Sequence, residues 1–495
     1  MQTLIYGMLG LPFVFALIAI SGFFSNRALH ILNRIIATIV GGIFVEMLMQ
    51  ISPGEVFNSE YFYLDALSIW VLLIVIVLYV ASAWVSKSYL VREHKMGYLS
   101  RTPKLIGRYY ALYHMFVLTM MLVLLLKNLG LMWVGIEATT LISALLVSFK
   151  FTRSALEATW KYIMVCTVGI CLALLGTMIL YYAQLTATGT EKALSWLWLS
   201  QHGDLLNPSL TKLAFLFIFI GYGTKVGLAP MHTWLPDAYS EAPSLISGLL
   251  SGALCTCSLY VLIRNLIIVI PTIGTAFIMD LFFVFAFLTI AIAVPFVVVQ
   301  RDIKRLLAYS SMENIGIMIV GLGIFSSISV GATLLHMFNH ALIKFVLFYI
   351  AGTVIQEYQT KNMMRIHGMV QEAPHTATFL LMGMFAILGM PPFGLFFSKF
   401  NIIFSLFKNG QYLLGSLMIF LLAGILIGIL YHVMRMLCGR AKRKAYADLL
   451  DHTDTPFLAV LLIGSIALGM GLERIPYLNS LLLEASQIVV GGVHL

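Results

Sequence analysis

Long apolar runs separated by short polar loops make up the chain from end to end. Fourteen runs read as helices, near residues 3–21, 28–49, 62–85, 107–126, 128–149, 158–183 and 209–232 in the first half. The second half continues with 241–264, 270–298, 306–325, 327–354, 375–397, 411–437 and 455–475. Each is close to the ~20 residues that cross a bilayer core. None alternates apolar and polar residues over the ~10 positions of a barrel strand. The pattern predicts an all-α polytopic membrane protein of about fourteen transmembrane helices.

The polar positions give this array a direction. The loop after the third run holds Lys87, Arg92, Lys95, Arg101, Lys104 and Arg108. The loops after the fifth, ninth, eleventh and thirteenth runs, on the same side, are also basic: Lys150 and Arg153; Arg301, Lys304 and Arg305; Lys361 and Arg365; Arg440, Lys442, Arg443 and Lys444. The intervening loops are poorer in positive charge, and one of them, SPGEVFNSEY, is acidic. Basic loops stay in the cytoplasm, so the expectation is both termini outside and a multi-pass location in a bacterial or archaeal cytoplasmic (inner) membrane. The opening MQTLIYG lacks a basic n-region and predicts no cleavable signal.

Composition narrows the function classes. The 495 residues are 60% hydrophobic and 10% charged, where a soluble protein carries about 25% charge. The net charge of +9 sits in short loops, as topology requires, so no nucleic-acid partner is expected. Cys166, Cys171, Cys255, Cys257 and Cys438 lack metal-ligand spacing. No metal site and no cofactor are expected.

In such a chain the chemistry is carried by ionisable groups inside the spans, because each costs ~2.5–3.5 kcal/mol at a helix centre. The set comprises Glu137, Lys161, Lys225, His336, His340, Lys344 and Lys399, with Glu137 as its one acid. Glu137 lies in LMWVGIEATTLISALL, where burial raises a carboxyl pKa and a nearby ammonium lowers it, making a switchable proton site. A carboxyl kept protonated against a backbone carbonyl is the plain alternative. Lys225 sits among Gly221, Gly223, Gly227 and Pro230, residues that interrupt a helix. Broken spans at membrane depth occur inside protein or beside a cavity, and transporters build sites there. A helix-end lysine snorkelling to the interface is the alternative.

His336, His340 and Lys344 recur every four residues and share one helix stripe, ~6 Å apart in rise. Two titratable imidazoles and an ammonium on one stripe read as a proton wire, with packed structural histidines as the alternative. Lys399 follows a second interruption, GMPPFG, and a snorkelling position is open for it too. Lys161 lies shallow in the sixth run. His232, Asp237 and Glu241 line either the mouth beyond the first break or a loop face.

The breaks fall in the seventh and twelfth runs, five helices apart. That spacing predicts two inverted five-helix units, 107–264 and 265–437, preceded by 1–106 (three helices and the basic loop) and followed by 438–495 (the last helix and a short tail).

The motifs also resemble a known family. GYGTKVGLAPMHTWLPDAYSEAPSLISGLLSG resembles the antiporter-like membrane subunits of respiratory complex I, which are related to Mrp-type cation/proton antiporters and to the membrane arms of energy-converting hydrogenases. QRDIKRLLAYSSMENIG, HMFNHALIKFVLF and GMPPFGLFFSKF follow in the family's order, over roughly residues 60–440. The stretch KNLGLMWVGIEATTLISALLVSFKFTRSALEATWKYIM looks most like the hydrogenase-4 component F branch, of the formate hydrogenlyase type. The resemblance implies fourteen helices, two inverted repeats and broken helices 7 and 12. It also implies that Glu137 pairs with Lys225 and that protons pass through His336, His340 and Lys344 to Lys399.

One departure stands out. Many relatives carry a lysine or histidine in the eighth span, where Leu249, Leu250 and Ser251 stand here, with Ser247 nearby. Either the serines bridge that gap or the first half-channel works differently. The chain also stops about twenty residues after its last predicted span, without the long lateral helix of the most distal complex I subunit.

The leading function is therefore a proton-translocating membrane subunit of a redox complex. Its partners would be other membrane subunits, a soluble metal-bearing arm and membrane lipid. An Mrp-like Na+/H+ antiporter subunit is one alternative; clustered midplane acids would favour sodium, and only Glu137 is counted. A proton-conducting partner of an inorganic-carbon uptake complex is another.

Overall fold

The computed structural model describes residues 1–97, 103–189, 194–439, 445, 448–450 and 454–491. Arg101 and the basic group Arg440, Lys442, Arg443 and Lys444 lie outside the described residues.

Helices account for nearly all of it. The first third holds α1 (Gln2–Ser21), α2 (Asn26–Gln50), α3 (Ala66–Lys95), α4 (Pro103–Leu125), α5 (Leu129–Val147) and α6 (Arg153–Thr188). The middle holds α7 (Trp196–Gln201), α8 (Pro208–Val226), α9 (Trp234–Glu241), α10 (Ser244–Leu249), α11 (Cys255–Ile273), α12 (Thr275–Val299), α13 (Ile303–Gly323) and α14 (Ser327–Tyr358). The rest are α15 (Met369–Glu372), α16 (Pro374–Leu388), α17 (Gly394–Lys408), α18 (Tyr412–Leu437), α19 (Thr455–Gly471) and α20 (Pro476–Gly491). A two-residue hairpin pairs Phe57–Asn58 with Tyr63–Leu64 ahead of α3.

Among the described residues, 13 helices are long and apolar enough to cross a membrane. The twelfth predicted span is divided into α16 and α17, each half too short for that count. With it the fourteen expected spans are present, and the chain is a polytopic all-α membrane protein.

Local signals set the ends. Asp65, Asn128, Asn207 and Asp302 cap α3, α5, α8 and α13 by accepting backbone N–H bonds, and Ser326 with Ser329 forms a capping box on α14. Gly227 (φ 103) ends α8 and Gly389 (φ 77) ends α16, both in left-handed conformations that suit glycine. The two sequence-predicted breaks are therefore real chain interruptions.

The layers are inverted relative to a soluble protein. The apolar stretches of α13 and of the α10–α11 span are wholly buried, and that of α14 almost so. Apolar side chains such as Leu413, Phe420 and Ile427 of α18 are exposed at 81%, 75% and 66%, where lipid tails cover them. Close approach is arranged with glycine. A Cβ on Gly221 of α8 would lie 2.5 Å from the Ala173 nitrogen of α6, and one on Gly169 of α6 would lie 2.6 Å from Thr224 Cβ. Small residues bring the two backbones together as in other membrane helix pairs, and this contact lies one turn before Lys225.

One sequence expectation changes here, and one buried ion pair is new. The tail after the last span is a helix: α20 buries Leu481, Leu482, Ala485 and Val489, and the Tyr477 hydroxyl donates to the Ile51 carbonyl at 3.0 Å. Its 16 residues are too few to read as a span, so the hydropathy pattern passes over it. Asp65 and Arg264, which stand at the edges of predicted spans, are both buried. Arg264 Nη1 donates to Asp65 Oδ2 at 2.7 Å, and the guanidinium carbon lies 4.2 Å from the Trp196 ring centroid. This ion pair joins the start of α3 to α11.

Gly221→Val is expected to destabilise the chain by about 1–3 kcal/mol through overpacking. Gly42→Val, where an added Cβ meets nothing within 4 Å, serves as the control. The midpoint of thermal unfolding in detergent reads the difference; equal midpoints would remove the close α6–α8 contact from the account of how Lys225 is held.

Candidate functional site

The first break delivers Lys225 into the bundle at the last turn of α8. Its ammonium is buried and donates to Thr140 Oγ1 at 2.8 Å and to the Tyr162 hydroxyl at 2.6 Å. Nζ also lies 4.8 Å from the Tyr162 ring centroid. The Tyr162 and Ser143 hydroxyls are 2.7 Å apart, and the Tyr162 ring packs on Trp234 of α9 at 4.8 Å. The interrupted backbone is satisfied by side chains. Trp234 Nε1 donates to the Thr224 carbonyl at 2.9 Å, and the Ala229 N–H donates to Thr289 Oγ1 at 3.0 Å.

Glu137 stands one turn before Thr140 on α5 and is half-buried. Thr167 Oγ1 lies 3.5 Å from one carboxylate oxygen, and the other has no partner among the described residues. The expected Glu137–Lys225 pair is not a direct contact. Two hydroxyls, Thr140 and Tyr162, take the lysine protons instead, and the carboxyl turns toward α6.

At the second break, Lys399 of α17 donates to Glu313 Oε1 at 2.7 Å and to the Ile387 carbonyl at 3.1 Å, a group freed where α16 ends. Lys399 is therefore buried and engaged and does not snorkel. Asn314 Nδ2 lies 3.3 Å from the other Glu313 oxygen, and its Oδ1 lies 3.0 Å from His336 Nε2. His336 Nδ1 meets Ser398 Oγ at 2.8 Å. The His336 and His340 rings stack with centroids 6.4 Å apart. Both His340 nitrogens are buried without a hydrogen-bond partner among the described residues. Lys344 donates to the Leu307 carbonyl at 2.7 Å and to the Ser310 hydroxyl. Hydrogen bonds thus link Lys399 to His336 through Glu313 and Asn314, while His340, between His336 and Lys344 on the stripe, makes none among the described residues.

The eighth span carries a π-helical turn, Leu250–Leu254, at the place where the lysine or histidine is missing. Such turns are frequent at functional sites. Ser251, within it, places its hydroxyl 2.9 Å from Ser311 on α13. Ser311 donates to the Leu307 carbonyl, which also accepts from Lys344. The Tyr239 hydroxyl donates to the Leu250 carbonyl at 3.3 Å, and its ring meets Trp234 edge-on. Serine hydroxyls thus tie α10–α11 to α13 and, through the Leu307 carbonyl, to Lys344.

The remaining sequence candidates are elsewhere. Lys161 is half-exposed and pairs with Glu157 at 2.7 Å and Asp237 at 3.1 Å; its long stem reaches the surface from a shallow position. Asp237 also binds Arg305, and Glu241 binds Lys361 at 2.8 Å and Ser154 at 3.0 Å. Burial opposes ionisation of Glu241, but its bond to Lys361 wins and holds the carboxyl below its ordinary pKa. These contacts tie α9 to α6, to α13 and to Lys361 in the loop before α15. His232 is half-buried in the first break, with Nδ1 unpartnered among the described residues.

The intraspan count misses Glu313, which corrects the expectation of a single midplane acid. It lies inside the predicted 306–325 run, so the signal was an acidic residue in apolar text, hidden by its place in the familiar string AYSSMENIG. Lys304, also buried, donates to the Ala242 carbonyl from just outside that run. Among the described residues, no three His, Cys, Asp or Glu gather as a metal site would require.

Residues 127–426 match the family described as "NADH:quinone oxidoreductase/Mrp antiporter, TM". A "Hydrogenase-4 component F homolog" of Methylacidiphilum infernorum is 34% identical over 84% of this chain and 86% of its own length. Among solved structures, a chain of the archaeal membrane-bound sulfane sulfur reductase superposes with a TM-score of 0.85 at 22% identity, covering 100% of both chains. A chain of the Mrp complex from Dietzia sp. does so at 0.83 and 17%, again over 100% of both. The likeness to these two structures is one of fold.

Lys399→Met leaves Glu313 buried without its cation and is expected to cost about 3–5 kcal/mol. Glu313→Gln combined with Lys399→Met should recover most of that loss. Unfolding midpoints of the three proteins in detergent measure it, and a silent Lys399→Met would mean that the carboxyl is neutral beside the lysine.

Proposed function

The chain belongs to the NADH:quinone oxidoreductase/Mrp antiporter transmembrane family, and from that premise we propose that it is the proton-translocating membrane subunit of a redox-driven complex of the hydrogenase-4 type. The observation that carries this reading is the set of buried polar groups that accompanies the two interrupted helices. It comprises Lys225 with Tyr162, the Ser251–Ser311 pair that shares the Leu307 carbonyl with Lys344, the stacked His340 and His336, and Glu313 with Lys399.

In this proposal the chain moves protons and performs no redox step. Other membrane subunits are its partners, as befits a fold shared with subunits of multi-subunit membrane complexes. A soluble metal-bearing arm supplies the energy. The membrane is a bacterial or archaeal inner membrane, both termini lie outside, and the basic loops lie in the cytoplasm. The units 107–264 and 265–437 act as inverted copies, each contributing one break and one half-channel. Protonation of the half-buried Glu137 changes the field at Lys225, which is bonded to Thr140 one turn further along α5, and the lysine responds by taking up or releasing a proton toward Tyr162. His340 is the step between Lys344 and His336: an imidazole can accept on one nitrogen and donate from the other, and neither nitrogen has a hydrogen-bond partner among the described residues.

Glu313 favours a second reading, Na+/H+ exchange, because a buried carboxylate near the midplane suits a bare cation. Its present partner is an ammonium, which occupies the position a sodium ion would take, and this weighs toward protons.

In membrane vesicles bearing the intact complex, Glu137→Gln, Lys225→Met and His340→Phe are each expected to reduce proton uptake at least tenfold, while Lys161→Ala retains most of it. Fluorescence quenching of a pH-sensitive dye reads uptake, with radioactive sodium flux measured in parallel. Uniformly mild effects would make the buried charges structural, and sodium movement matching proton movement would select the exchanger. Ser251→Leu, which removes the hydroxyl and fills the gap, should slow pumping more than Ser247→Ala does.

A further inference from the structure

Apart from the relay, the end of the bundle that carries Lys87 and Lys95 has two adjoining hollows that share Arg34. One is a crevice of 620 Å³ walled by Arg34, Lys87, Arg92, Lys95, His375 and Asp448 among others. The other is a groove of 410 Å³ between α2 and α3, lined by Ile31, Ile35, Thr38, Ile39 and Trp84 together with Arg34. Ile31, Ile35 and Ile39 recur every four residues, so they form a stripe ~12 Å long on α2 that passes beside Arg34. They are exposed at 58%, 45% and 44%. Trp84 forms the opposite wall, held by its Nε1 bond to Thr38 Oγ1 at 3.1 Å and by stacking on Phe457 at 5.1 Å.

The charges at the junction are unbalanced. Arg92 is fully engaged by Tyr349, Gln356, the Leu449 carbonyl and Asp454. The Asp448 carboxylate accepts from the His375 backbone and ring and from Thr376. Arg34 donates one bond, to the Trp84 carbonyl at 2.7 Å, and its guanidinium lies 5.2 Å from the Trp84 ring centroid. Its Nε is buried with no partner among the described residues. Lys87 and Lys95 are exposed on the same wall.

We propose that this double hollow binds one anionic phospholipid, its phosphate between Arg34 and Lys87 and one acyl chain along the Ile31–Ile35–Ile39 stripe. A cationic crevice that adjoins an apolar groove matches the two ends of that molecule, and the groove includes a tryptophan, Trp84, the residue type favoured where lipid headgroups meet acyl chains. Charge selects an anionic lipid over a zwitterionic one, and a basic pocket between membrane helices is a recognised headgroup site. The inference rests on the membrane fold and not on the proton reading.

The test uses the purified complex in phosphatidylcholine nanodiscs with a minor share of phosphatidylglycerol, followed by native mass spectrometry of retained lipid. The intact protein should retain phosphatidylglycerol. Lys87→Gln and Arg34→Gln should each weaken retention about fivefold, the value of one basic residue at an anionic surface. Ile35→Trp fills the groove with every cation in place and should also lose the lipid. Any variant whose unfolding midpoint has fallen is set aside, and the exposed Lys87→Gln keeps the test decisive. Three outcomes overturn the proposal: unchanged retention in Lys87→Gln and Ile35→Trp, displacement of the lipid by millimolar inorganic phosphate alone, or crosslinks from Ile35 to a helix of a neighbouring subunit.

Discussion

Two spans of this protein stop in the middle of the membrane, and the backbone groups they free have no water to turn to. Each must be met by protein, at a cost of several kcal/mol if it is not. At the first break the indole of Trp234 takes the Thr224 carbonyl and Thr289 takes the Ala229 N–H. At the second, the Ile387 carbonyl is met by the ammonium of Lys399 itself. Satisfying the backbone and placing a charge are thus the same act. A lysine that caps a broken helix is fixed in position, and its remaining protons point to a chosen partner, here Glu313.

That constraint explains why α13 is the organising helix of the polar column. On one side it presents the Leu307 carbonyl and Ser310 to Lys344; a turn on it presents Ser311 to Ser251, and then Glu313 and Asn314 to Lys399 and His336. The stretch of the helix that carries these groups is buried, so they must find their partners within the protein. A network of this kind is worth more than its separate bonds when every member is satisfied, and is costly where one is not. His340 is the member left unsatisfied among the described residues, which is the physical reason for placing the mobile proton there.

Much of this was legible before any coordinates. Long apolar runs can only be helices in a bilayer, and Gly227, Pro230, Gly389 and the Pro391–Pro392 pair mark interruptions whatever surrounds them. The four-residue spacing of His336, His340 and Lys344 places them on one stripe by helix geometry alone. Glu313 was legible in principle too, as an acid within a predicted span. The tail helix α20 was not, because 16 residues with one buried face carry too weak a hydropathy signal.

The partners of each charge belong to tertiary structure. Lys225 meets Tyr162 and Thr140 because glycines on α6 and α8 let the two helices touch, and no local pattern announces a contact across 63 or 85 residues. The bridge through Ser251 depends on which face of α10–α11 meets α13. Lys161 could have pointed inward from its sequence, yet it lies at the surface with Glu157 and Asp237. Sequence by itself determined what must be buried, where helices must break and which residues are too costly to be idle. Only the packed bundle decided which of them touch, because a hydrogen bond is a matter of a few tenths of an ångström between elements far apart in the chain.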